Sequence, residues 1–468
     1  MSESRDRAVV LGASMGGLLA ARVLADFYRS VTVVERDCLP DEPANRRGVP
    51  QGKHPHALLG KAVDILGRLF PGLFDQLVAD GAVRWDDGDL SKLWWTVAGH
   101  LMVRSATIPD PASMTDYHVS RPLLEFGVRR AVQEISNVEI LAQHDFVGLA
   151  ADLDRNRITA ARVAKYGSRR ETLLSADLVV DATGRGSRTP VFLEEFGYGR
   201  PRSDEVEVHL TYSTLPVRIP RGMLREVMVT VYPIPSRSTL FAAIACENDT
   251  YLVCGGVVGG QEPPVDRDAF FDFVAELAPR HVMAAVRAGE PLAEVAQHRV
   301  PSNRWRRYDK LARTPKGLLV FGDAICCFNP IYGQGITLAA IEAEILRECL
   351  RQGNSDVRKR FYRESAKKIR AAWGTAVGSD LALPQVPGRR PLSMRISNAY
   401  MDRILTATET DPIVAQQLLR VVWMLDGPTA LFRPPIVLRT AKALLSGARN
   451  REQADHLEQL NRSVGEST

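Results

Sequence analysis

Arg7-Ala8-Val9-Val10-Leu11-Gly12-Ala13-Ser14-Met15-Gly16-Gly17 opens the stretch whose reading decides the fold, and residues 18–35 complete it. An apolar run, Ala8 to Leu11, stops at Gly12; a turn carrying Ser14, Gly16 and Gly17 follows; residues 18–28, rich in Ala and Leu, read as a helix. A second apolar run, Val31 to Val34, ends on Glu35. Strand, turn, helix and strand with a closing acid make one β-α-β unit that points to a dinucleotide. Glycines let the backbone turn and approach a pyrophosphate, the helix start offers unpaired N–H groups, and an acid about 20 residues on takes a ribose hydroxyl. Glu35 falls 18 positions after Gly17. Ser14 stands where the second glycine belongs, which tightens the phosphate approach without blocking it. Met15 and Arg36 are assigned to the same ligand as their neighbours. A plain strand-to-helix turn has the same glycines, and the motif does not tell NAD from FAD.

The chain has 468 residues, enough for two or three domains or one core with large insertions. Its 60 basic and 55 acidic residues are interspersed and leave a formal charge of +5, so nucleic acid is not an expected partner. No apolar run is long enough for a stable membrane anchor, residues 1–7 are polar, and a cytoplasmic location is expected. The six cysteines form no C-x-x-C, so reduced thiols and no metal centre are expected.

Residues 36–58 are basic, contain Pro and Gly, and have no helical or strand period; a loop this long inside a domain is usually functional. Helices are expected at 61–70, 73–80 and 121–135, the last capped by Ser120, and strands at 138–141, 146–150 and 178–181. Residues 206–258 read as successive antiparallel strands. A last buried strand, 317–321, runs into Gly322-Asp323, then Asn329-Pro330, Gly333-Gln334-Gly335 and a helix over 336–350. Residues beyond 357 are helical without an interpretable motif.

The turn at 12–17 with Glu35, the segment 181–188, and Gly322-Asp323 with Gly333-Gln334-Gly335 together resemble the FAD-dependent class A monooxygenases of the para-hydroxybenzoate hydroxylase type. The resemblance spans some 350 residues and implies an α/β fold: a discontinuous Rossmann-like FAD-binding domain (1–80, 115–190 and 300–352), an inserted antiparallel β-sheet substrate domain (81–114 and 191–299) and a helical C-terminal region (353–468). The loop from Arg46 to His56 and the run Asn329 to Gly335 are similar to bacterial members acting on polyketides, polyether epoxidases among them.

The resemblance implies FAD contacts for Asp323 with its neighbour Gly322, for the segment Gly333, Gly335 and Ile336, for Arg46 or Arg47 at the pyrophosphate, and for Arg121 at its helix start. It also places Val147 and Gly184 with the cofactor. Gly48, Pro50, Gln51 and Pro330 fall beside the isoalloxazine. His54 and His56 are acid–base candidates, with structural hydrogen bonding the stronger reading. No catalytic residue is assigned. Thr183-Gly184 stands where NADPH-using hydroxylases carry an Asp-Gly pair, so NADPH or NADH as a directly bound donor is in doubt, and a separate flavin reductase is admissible. Trp94-Trp95-Thr96 lacks the W-x-W-x-I-P signature of the flavin halogenases. The implied activity is epoxidation or hydroxylation of an apolar, polyketide-like intermediate through a flavin C4a-hydroperoxide. The alternative is a [4+2] cyclase in which FAD is structural.

Overall fold

A computed structural model describes residues 5–353 and 356–446. The opening β-α-β unit forms as read: β1 (Arg7–Leu11), α1 (Met15–Ala25) and β2 (Ser30–Val34). Three further segments, distant in sequence, complete a parallel sheet. Helix α2 (Arg121–Gln133), capped by the Ser120 hydroxyl accepting from the Leu123 N–H, leads into β3 (Val138–Leu141); β4 (Leu178–Asp181) and β5 (Leu318–Val320) follow. The order β5-β4-β1-β2-β3 puts Val9 beside both Thr32 and Val179, and Val180 beside Leu319. The central strands carry apolar runs, Ala8 to Leu11 in β1 and Leu178 to Val180 in β4, because helices cover both faces of such a sheet.

After β5 the chain enters α3 (Gln334–Arg351) and α4 (Val357–Asp380), which lie in the same core as α1. Three more helices follow: α5 (Leu392–Thr408), α6 (Pro412–Val422) and α7 (Pro434–Ser446). None of the described helices is long and apolar enough to cross a membrane.

A nine-stranded sheet holds the strands expected between 206 and 258, at Ser203–Arg218, Met228–Val231, Thr239–Ala245 and Thr250–Val257. Leu93–Val97 joins it in parallel to Met228–Val231. At the other end Ala296–Arg306 pairs antiparallel with Ser203–Arg218 and carries Cys326–Cys327 on its outer side. The boundary expected at 300 therefore falls inside one continuous strand. Helices Arg267–Ala275 and Arg280–Ala288 back the sheet through a separate apolar cluster. All six cysteines are free, and only Cys38 is exposed.

Candidate functional site

The parallel sheet delivers three glycine-bearing turns to one place, at the carboxyl ends of β1, β4 and β5. Gly12 has φ +97, and a Cβ there would lie 2.8 Å from the Ala182 carbonyl oxygen. On Gly17 it would lie 1.8 Å from the Gly12 oxygen, so the turn closes on its own helix only because no side chain intervenes. Gly16 differs: its nearest neighbour would be the Phe321 ring at 3.7 Å, an ordinary contact. Protein packing does not demand a glycine there, and the backbone is left open on that side.

Asp323 is the meeting point. A Cβ on Gly184 would stand 4.0 Å from its Cβ, one on Gly335 would stand 3.8 Å from its Oδ1, and one on Gly322 would lie 4.0 Å from Gly16 Cα. The Asp323 side chain is accessible yet surrounded by protein, as a carboxylate on the floor of a crevice is. That desolvation raises its pKa against the pull of Arg121 and Arg185. Gly333, in the left-handed region at φ +64, caps α3, and Ile336 is buried in its first turn. Gln334 Oε1 and Thr337 Oγ1 at the same helix start are buried with no hydrogen-bond partner.

The long loop folds over this floor, and here two expectations change. Arg46 does not reach out as a free phosphate ligand: its Nη2 donates to the Ala13 carbonyl (3.1 Å), its Nε to Glu125 (2.8 Å), and its Nη1 lies 3.1 Å from both Glu35 and Asp37. Three carboxylates neutralise it, so it clamps the loop to the Gly-rich turn. Ser14 is not merely a small substitute for glycine; its hydroxyl donates to Glu125 (3.0 Å) and accepts from Arg121 (2.7 Å). A serine suits this position because the cluster needs a hydroxyl there. Glu35 accepts from the Ala13 N–H (2.8 Å) and the Asp37 N–H (2.9 Å), which leaves a carboxylate with about four lone-pair sites room for a ribose hydroxyl. Arg36 and Arg47 stand in solvent, as do Gly48 and Pro50. Gly48 donates its N–H to Asp37 (2.6 Å). Val147 sits at an irregularity in the strand His144–Ala151, and Met15 is buried.

Pro50 and Gln51 begin a single 3-10 turn that hands the chain to His54. Buried, His54 shares its Nδ1 with the Thr214 hydroxyl (2.8 Å) and stands edge-on to Tyr212, ring centroids 4.6 Å apart, with His298 beyond at 5.7 Å. Burial first, then His298, lowers its pKa to about 3; burial first, then Arg121, lowers that of His56 to about 4. Both are neutral near pH 7, which fits the structural reading rather than a protonated acid.

Sequence reading missed four residues. Glu125 was legible as the i+4 partner of Arg121. Glu342, an acid within the apolar run of α3, accepts from the Gly322 N–H (2.6 Å). Asp380, fully buried, accepts from Asn303 (2.6 Å), Asn329 (2.9 Å) and Tyr332 (2.7 Å), and so pins the turn carrying Pro330, itself exposed, to the end of α4. His298 carried no local signal. Thr183, where a carboxylate was the family expectation, donates its hydroxyl to the buried Asp181 (2.6 Å), which also accepts from Ser187 and Thr189 (2.5 Å each).

No family model matches the chain. It is 36% identical over 446 residues to Protein Rv3254 of Mycobacterium tuberculosis, covering 93% of each chain. Kynurenine 3-monooxygenase of Salinispora tropica is 27% identical over 371 residues, covering 75% of this chain and 74% of that one. The chain belongs to one family with Protein Rv3254, and its fold is that of the FAD-dependent class A monooxygenases. Among solved structures of this fold, p-nitrophenol 4-monooxygenase PnpA from Pseudomonas putida superposes with a TM-score of 0.65 at 17% identity, covering 91% of this chain and 99% of that one. The Diels-Alderase PyrE3 superposes at 0.59 and 17%, covering 90% and 81%. The proteins of this fold named above include flavoenzymes, and the residues here fit FAD: Gly16 is open to approach, the start of α3 carries orphaned polar atoms, and an accessible carboxylate lies between them.

Proposed function

We propose that the chain is a monooxygenase that epoxidises or hydroxylates an apolar, polyketide-like substrate. The observation that carries this reading is the apolar and aromatic cluster beside the cofactor cradle. From the turn at 329–332, Ile331 packs on an apolar cluster of the large sheet that includes Leu210, Tyr212, Leu240 and Val300. Tyr232 donates to the Ile331 carbonyl (3.2 Å) and stands edge-on to Trp95, ring centroids 6.5 Å apart. His54 is neutral there, and an apolar ligand meets such a cluster without a desolvation penalty.

In this reading the parallel sheet with α1 to α3 binds the cofactor and the large sheet binds substrate. Asp323 and the Glu35 carboxylate orient the ribityl and ribose hydroxyls, and the N-terminus of α3 holds negative charge at the flavin. When bound and reduced, FAD supplies the activation of O2. The protein excludes water and positions the substrate carbon. Thr183 favours delivery of electrons by a separate reductase, because no carboxylate occupies the position that would meet a nicotinamide. The same residue supports the second reading, an FAD-dependent [4+2] cyclase.

Oxygen labelling separates the two. FAD-loaded protein is reduced anaerobically with dithionite and exposed to 18O2 with alkene- and arene-bearing polyketides. Incorporation of one labelled atom into product supports the monooxygenase; conversion of a polyene to an isomer of unchanged mass, with FAD oxidised throughout, supports the cyclase. NADPH or NADH alone is expected to bleach the flavin slowly or not at all.

A further inference from the structure

Helix α7 buries one side and leaves apolar residues on the other. Ile436 and Thr440 turn inward, Ile436 within the cluster that holds α5 and α6. On the other side Pro434, Leu438, Ala441 and Leu445 recur at helical spacing in solvent, Leu438 70% and Leu445 89% exposed. The first turns of α5 do the same with Leu392 (67%) and Ile396 (64%). Tyr400 of α5 stacks on the exposed Phe432 just before α7, ring centroids 4.5 Å apart, and joins the two helices. Single exposed apolar residues need no explanation, but a concentration on two neighbouring helices marks a docking face.

The charges around it select the partner. Arg395, Arg403 and Lys442 are exposed among these apolar residues, while Arg433 and Arg439 pair with Asp426 (4.0 Å) and Asp411 (3.0 Å). Within 389–403 and 432–446 the one acid is Asp402, which bonds His100. A closed twofold pair would press this basic face against itself and set like charges together. An anionic bilayer complements it: apolar side chains enter the headgroup–acyl boundary while Arg and Lys reach the phosphates. We propose that α5 and α7 dock the enzyme peripherally on an anionic lipid surface, lying on it without crossing it. The proposal is independent of the reaction assigned above.

Vesicle flotation of the full-length FAD-loaded protein tests it, with vesicles of equal parts phosphatidylglycerol and phosphatidylcholine set against pure phosphatidylcholine. The protein is expected to float with the anionic vesicles alone and to be released by high salt. Arg395→Ala and Lys442→Ala are each expected to weaken binding about fivefold. Leu438→Asp combined with Leu445→Asp is expected to abolish it with flavin content and melting temperature unchanged, since both residues are exposed. Wild-type protein that stays at the bottom of the gradient overturns the proposal, as does flotation that survives the double substitution. A dimer seen by light scattering that the double substitution dissolves also overturns it and assigns the face to a second copy.

Discussion

Gly16 and Gly17 are adjacent and identical, yet they answer to different constraints. A methyl group at 17 would overlap the Gly12 carbonyl, so Gly17→Ala is expected to yield little folded protein. At 16 the nearest protein atom would be 3.7 Å away, so Gly16→Ala is expected to fold normally and lose FAD affinity by about tenfold or more, measured by flavin fluorescence titration. Unchanged affinity would mean that nothing approaches that backbone. Asp323→Ala is expected to give protein purified without flavin absorbance. Glu342 makes a pH prediction: burial first, with Asp323 adding, raises its pKa from 4.5 to about 8 despite the Gly322 N–H. The folded state holds the proton between those values while the unfolded state releases it, so Glu342 costs stability increasingly as pH rises from about 5 to 8. Glu342→Gln, which keeps an acceptor for Gly322, is expected to stabilise the protein more at pH 8 than at pH 5 in urea titrations. Gly17 was legible because its constraint is local; Glu342 was not, because its effect depends on Gly322, 20 positions away and brought close only by packing.

At the scale of the element, the turn at 329–332 depends on a residue outside every recognised motif. Asp380 ends α4 and receives three side-chain donors from two separate segments. Asp380→Ala leaves those buried donors without an acceptor and is expected to cost roughly 3 kcal/mol, read from chemical denaturation. The same variant is expected to weaken FAD binding, because the turn leads directly into the start of α3. Thermal and denaturant stability equal to wild type would remove Asp380 from this role. The strands and helices themselves were largely legible, since their apolar periods are local. The break at 300 was not: Arg299-Val300-Pro301-Ser302 runs on as strand because the register shifts there, Glu207 pairing with Ser302 and Leu210 with Val300, so that Pro301 falls at an irregularity where no ladder hydrogen bond is required of it.

Across the whole molecule, the large sheet and the C-terminal helices meet at His100. Its Nδ1 faces Glu409 (2.7 Å) and its Nε2 faces Asp402 (3.1 Å), while the Val103 N–H donates to the Thr408 carbonyl nearby (2.8 Å). Burial alone would lower the His100 pKa, but Glu409 and Asp402 outweigh it and hold it above 6.5. A raised folded-state value makes this contribution complete below about pH 6.5 and lost as pH climbs through the folded pKa. His100→Gln is expected to destabilise the protein at pH 6 and to approach wild type as pH rises, seen as converging melting temperatures. A difference that stays constant with pH would assign His100 a packing role alone.

The sequence by itself determined the β-α-β unit, the closing Glu35, the convergence-prone turns at 184 and 322–323, and the resemblance that leads to FAD, because each rests on backbone geometry or apolar period encoded within about 20 residues. Only the tertiary structure decided the partners of the charges. Arg46 became a clamp, Ser14 part of a Glu125–Arg121 cluster, and Asp380 a latch, because a buried charge is stabilised by whatever donors or acceptors the fold brings within 3 Å, and those come from segments far apart in the chain.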